Sequence, residues 1–143
     1  MADGQIDGAA LEAWVKETRK LASAVGRADI ADQKIGEALS ASPMGSDGIW
    51  PAIPVRDIIE ITRSKHLETG FDMGLRNRRG VTTRLPTDGG VQERDLVERF
   101  RGYAKATALD WPRTSAVLER IARGYEDDAR WHDDDAERLD WHR

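Results

Sequence analysis

"KHLETGFDMGLRNRRG" (residues 65–80) is the stretch on which the fold turns. Leu67, Gly70, Phe71, Gly74 and Leu75 recur at three- and four-residue spacing, so the segment reads as a helix with one apolar face. That face carries two glycines four residues apart. Each costs about 1 kcal/mol relative to alanine in a helix, a cost that close packing of another backbone offsets. The spacing therefore predicts helix packed on helix. Ser64 is placed to cap the segment. Gly80 is placed to end it, with Arg76, Arg78 and Arg79 in the last turn, where positive charge complements the helix dipole.

Upstream, Pro54 suits a first helical turn, and Val55, Ile58, Ile59 and Thr62 then share one side. Before it, "SPMGSDGIWPAIP" (42–54) holds three prolines and two glycines. It reads as a structured loop whose Trp50 is a lid over the core, and of the tryptophans it is the best placed to line a groove. Asp29 is placed to cap a shorter helix with Ala31, Ile35, Ala38 and Leu39 in a stripe, although Gly36 counts against it. Asp7 is placed to cap the first helix. There Leu11, Trp14, Val15, Thr18, Leu21, Ala22 and Val25 form one face, and Gly26 is the stop. Core or core-edge packing is the expectation for Trp14, Trp50 and Trp111 alike.

Downstream, "GVTTRLPTDGG" (80–90) exceeds the usual connection of ~4 to 6 residues, which marks it as functional or mobile. Helical spacing resumes near Val91, with Leu96, Val97, Phe100, Tyr103, Ala104 and Thr107 in register. Asp110 and Pro112 open the last helix, whose stripe is Val117, Leu118, Ile121, Tyr125 and Ala129. The pattern fades after Trp131. Strand-like alternation and internal repeats are missing from the sequence. The expected fold is all-α, an irregular bundle of five or six helices with two structured loops. Its expected parts are a flexible N-terminus (1–8), a helical domain (9–130) and an acidic, solvated, partly frayed tail (131–143).

The 143 residues fit one domain with a real core, and the lack of cysteine excludes disulfides, thiolate metal sites and cysteine nucleophiles. No basic start precedes an apolar run, and no segment approaches the ~18 apolar residues of a membrane span, so a cytoplasmic protein is expected. The net charge of −4 argues against a protein that coats nucleic acid. Residues 56–84 carry seven basic and four acidic groups, while 126–143 carry three basic and eight acidic. Opposite signs on one chain suggest that the tail covers the basic block when no partner is present.

"ADIADQKIGEALSASPMGSDGIWP" and the run from "GVTTRLPTDGGVQERD" to "GYEDDAR" resemble the C-terminal region of certain long bacterial proteins of unknown function. The resemblance covers roughly residues 10 to 130 and carries no catalytic residues. It implies an accessory or interaction module that in relatives sits behind a larger N-terminal part.

Two candidate sites emerge. Arg76, Arg78, Arg79 and Arg84 with Thr82 and Thr83 supply guanidinium forks and hydroxyls suited to an anion or an acidic partner. The competing reading is a helix end with ion pairs to Glu93, Asp95 or Glu98. Trp131, Leu139 and Trp141 form a docking stripe in the acidic segment for a partner, with packing onto the bundle itself as the competing reading. A phosphate loop of the GxxxxGK[ST] type is missing, as are an EF-hand and HExxH. Ser64, His66 and Glu68 are spaced too closely to share one helix face as a triad. His132, Asp133, Asp134, Asp135 and His142 lack metal-ligand spacing. Neither a cofactor nor a metal is expected.

The leading expectation is a non-enzymatic helical module contacting another protein or domain. The alternative is weak nucleic-acid binding through residues 76–84, and a small hydrolase or transferase ranks third. Nucleic-acid binding needs the arginines on one exposed positive surface. Partner binding needs an exposed apolar patch with a polar rim.

Overall fold

A computed structural model describes residues 7–79 and 91–141, the side chains at 78, 79, 91–93, 129 and 131–141 excepted. Within them lie α1 (Gly8–Ala24), α2 (Ala28–Leu39), α3 (Ile53–Thr62), α4 (Lys65–Arg79), α5 (Val91–Thr107) and α6 (Pro112–Trp141). No strand occurs among the described residues, so the fold is all-α. Among the described residues no helix is long and apolar enough to cross a membrane. The segment after residue 130, read as a tail, continues α6 as helix to Trp141.

Two close pairings, α2 on α4 and α5 on α6, build the bundle. Ile35, Leu39, Leu67, Phe71, Leu96, Phe100, Leu118 and Ile121 from these four helices meet in one core with Val55 and Ile59 of α3. The α2–α4 pairing is where the glycines act. A Cβ placed on Gly70 would stand 2.0 Å from the Gln33 carbonyl oxygen, and one on Gly36 1.9 Å from the Leu67 carbonyl oxygen. Gly36, which counted against a helix in the sequence, is thus the third member of the seam with Gly70 and Gly74. Gln33 faces Gly70 and Glu37 faces Gly74, so the two helices run parallel.

Polar side chains set the helix ends. Asp7 accepts from the Ala10 amide at 3.1 Å, and Ser64 from the Leu67 amide at 3.2 Å. Arg27, not Asp29, is the N-cap of α2, and Asp29 lies in the first turn, where its charge favours the dipole. The start of α6 is capped from another helix. Glu60 of α3 accepts from the amides of Arg113 (3.2 Å) and Thr114 (2.7 Å) and from the Thr114 hydroxyl (3.0 Å). Carboxylates satisfy orphan amides and oppose the positive helix end, which fixes α6 against α3.

The first helix departs from expectation. Of its predicted core face only Val15 is buried, while Trp14, Leu21 and Val25 are 45%, 62% and 68% exposed. Helix α1 packs mainly on α2 and α3, and these two cover one side of a stripe that runs well round the cylinder.

Candidate functional site

Of the six residues expected to form the anion site, Arg76 alone has its side chain among the described residues. Arg76 bonds Asp72 one turn back on its own helix at 3.0 Å, and among the described residues no ion pair joins it to Asp95 or Glu98. Its guanidinium carbon lies 5.9 Å from the centre of the Tyr125 ring. The side chain occupies the space that a Cβ on Gly124 would need. Arg76 therefore ties α4 to α6. The backbone of Arg78 and Arg79 ends α4, but their side chains, with Thr82, Thr83 and Arg84, lie outside the described residues, as does the Glu93 side chain. Trp131, Leu139 and Trp141 belong to α6 by backbone, and their side chains also lie outside.

Ser64, His66 and Glu68 point three ways. Ser64 donates to Asp32 at 2.7 Å, His66 stands 3.6 Å from Asp29, and Glu68 accepts from Arg113 at 2.7 Å. Among the described residues no group of three metal-ligating side chains comes together.

A better-formed site is built from the loop between α2 and α3. Arg56, wholly buried, is its hub. Its Nε donates to the Pro51 carbonyl at 2.6 Å and its Nη2 to the Ile49 carbonyl at 2.7 Å. Both terminal nitrogens reach Asp47, at 2.8 and 2.9 Å. The fork geometry of guanidinium satisfies one carboxylate and two carbonyls at once, which lysine cannot do. The guanidinium also lies 4.8 Å from the centre of the Trp111 ring.

The loop so held places Trp50. Its indole nitrogen donates to the Ser42 carbonyl at 2.7 Å, and the Ser42 hydroxyl accepts from the Ala52 amide at 2.9 Å. The Trp50 ring packs on Phe71 (5.3 Å between centroids) and edge-on to Phe100 (5.7 Å), within the range for favourable aromatic pairs. Phe100 in turn meets Tyr103 at 5.9 Å. Trp50 is thus the lid over the core. Its outer side, with Met44, Leu75, Leu96, Phe100, Tyr103 and Arg99, lines an open cleft of about 290 Å³.

The Arg56 side chain, bonded to Asp47, holds the Asp47 carboxyl down at about 2, and the Ile49 amide adds to the effect. The folded value lies below the ordinary 3.8, so this pair's stabilisation is fully present above pH 4 and is lost as pH falls toward 2. Urea unfolding of the parent and Asp47→Asn is expected to show a gap in midpoint that is constant above pH 4 and narrows below it. A constant gap down to pH 2 would contradict the linkage.

The other shifted groups are structural as well. A bond from Arg130, then one from Arg101, pulls Glu126 below the usual carboxylate range. Glu126 in turn raises Arg101. These bonds join α5 to α6 and brace α6 along its length.

Sequence reasoning missed Arg56 and every wall of the cleft but Trp50. The available signal was Asp47-Gly48, a turn pair ahead of the proline-bounded Trp50, with an arginine two residues past Pro54. No family model, curated protein or solved structure matches the chain.

Proposed function

We propose that the chain is a non-enzymatic, cytoplasmic interaction module that binds a short segment of another protein in the Trp50 cleft. The observation that carries this reading is an open apolar cleft with a rigid aromatic floor and a cation on its rim. The floor is preorganised by the Arg56 and Ser42 bonds, which lowers the ordering cost of binding. Met44, 51% exposed at the lip, is an adaptable surface of the kind that accepts varied apolar side chains. Exposed Arg99 makes no ion pair among the described residues, so it is available to a carboxylate. The fitting ligand is an extended or helical peptide with one large apolar side chain and a nearby acidic residue.

The test is selection of displayed random peptides against the full chain. Enriched peptides are expected to pair an apolar anchor with Asp or Glu. Met44→Asp and Arg99→Glu are each expected to weaken them by about tenfold or more, corresponding to ~1.4 kcal/mol, with little change in Tm because both residues are exposed. Peptides carrying Lys in place of the acid are expected to regain binding to Arg99→Glu. Enrichment without this dependence would overturn the reading.

Nucleic-acid binding draws support from another surface, a groove of about 550 Å³ between α5 and α6 that carries Lys105, Arg120 and Arg123. None of the three makes an ion pair among the described residues. This reading requires salt-sensitive binding that falls on Arg120→Glu and Arg123→Glu.

A further inference from the structure

We propose that α1 pairs with α1 of a second copy of the chain, antiparallel, in a weak two-fold dimer. This goes beyond the peptide cleft, which α1 does not line. Helix α1 turns Val15 inward and leaves Ala10, Trp14, Glu17, Leu21 and Ala24 exposed. Their spacing alternates four, three, four and three residues. That spacing places them on one face of the helix, in a single line that a second helix can lie along. Trp14 and Leu21, 45% and 62% exposed, are the large apolar side chains on this face.

The occupant follows from size and charge along the seam. An antiparallel copy centred near residue 19 sets each Trp14 over Ala24 of the other copy, large against small. Glu17 then lies beside Lys20 and Leu21 of the other copy, and the two-fold axis repeats each pairing. Glu17 and Lys20 make no ion pair within the chain among the described residues. A parallel copy in register would instead put Glu17 against Glu17 and Trp14 against Trp14, with like charges inside the seam. A self-complementary patch is what a two-fold interface requires.

The seam is short, because 17 residues of helix span roughly 25 Å and only Trp14 and Leu21 contribute large side chains. That falls below a standard interface, so a dissociation constant on the order of 10 to 100 μM is expected.

Sedimentation equilibrium of the full chain from ~1 μM to ~1 mM reads this directly. The parent is expected to pass from monomer to dimer over that range. Leu21→Glu is expected to remain monomeric with unchanged helical circular dichroism and Tm, since its side chain is mostly exposed in the single chain, and Trp14→Glu to remain monomeric with a lower Tm but unchanged circular dichroism at 25 °C, since just over half of the Trp14 side chain is covered. Glu17→Lys and Lys20→Glu are each expected to weaken the dimer several-fold, and the two together to restore it. Three results would overturn the proposal. They are a parent that is monomeric throughout, a dimer indifferent to Trp14→Glu, and a charge swap that fails to restore pairing. Peptide binding in the cleft is read by a separate measurement, so either proposal can fail alone.

Discussion

Gly36→Ala and Gly70→Ala are each expected to destabilise the protein by about 2 kcal/mol or more, whereas Gly102→Ala is expected to stabilise it by up to about 1 kcal/mol. All three replace a helical glycine, and alanine gains about 1 kcal/mol of helix propensity at each. Space decides the sign. At Gly102 of α5 nothing lies within 4 Å of an added Cβ, so the propensity gain stands alone. At Gly36 and Gly70 the added methyl would meet backbone carbonyl oxygen at 1.9 and 2.0 Å. A main-chain atom cannot swing aside as a side-chain end can, so α2 and α4 must separate. Separation loosens Ile35, Leu39, Leu67 and Phe71 together, and overpacking of this kind costs about 3 kcal/mol or more. The two substitutions are expected to combine at less than their sum, because the first already parts the helices that the second would part. Urea midpoints of the three single variants and the double variant check all of this. A Gly36→Ala variant as stable as the parent would mean that the helices do not approach so closely.

The same glycines show what periodicity can and cannot reveal. Gly70 and Gly74 sit on an apolar face four residues apart, so a close neighbour was legible before any coordinates. Gly36 was not, because a single glycine in a short helix looks like a propensity cost until the opposing backbone is seen. The faces of α5 and α6 were legible for the same reason as α4, since Leu96, Phe100, Val117, Leu118 and Ile121 repeat at helical spacing and are buried. Helix α1 exposes the limit. Spacing reports which side of a helix is apolar, but coverage depends on how many neighbours reach it, and α2 and α3 reach only the Val15 side.

The candidate site was less legible than the fold. Trp50 as a lid followed from a large apolar side chain fixed between prolines. The cleft beside it did not, because its walls come from three segments far apart in sequence, around Met44, Leu75 and Arg99. Arginine-rich "RNRRGVTTR" stands out by composition, while Arg76 within it is held by Asp72 and seated against Tyr125. Glu60 as the cap of α6 acts on amides more than fifty residues away, beyond any local pattern. Arg56 was invisible for the opposite reason. A charged residue in the first turn of a helix ordinarily faces water, and nothing within one helical turn says that this one does not.

Arg56→Ala is expected to cost about 3 to 5 kcal/mol, a large share of the total for a domain of this size. The substitution removes the donors that the Ile49 and Pro51 carbonyls and Asp47 share. Asp47, whose side chain is 35% exposed, recovers part of its loss by hydration, so the two carbonyls and the vacated volume carry most of the penalty. The packing of guanidinium on Trp111 goes as well. Arg56→Lys keeps the charge but presents no planar fork, and it is expected to recover less than half of the loss. Because the loop positions Trp50, the damage is expected to extend to the cleft. Arg56→Lys should bind the selected peptides several-fold more weakly than the parent at temperatures where it is still folded. Denaturation curves give the first quantity and peptide titration the second. A lysine variant that loses stability yet binds as the parent does would separate the loop's structural role from recognition, and would place the peptide contact on Leu96, Arg99 and Tyr103 rather than on the Trp50 side of the cleft.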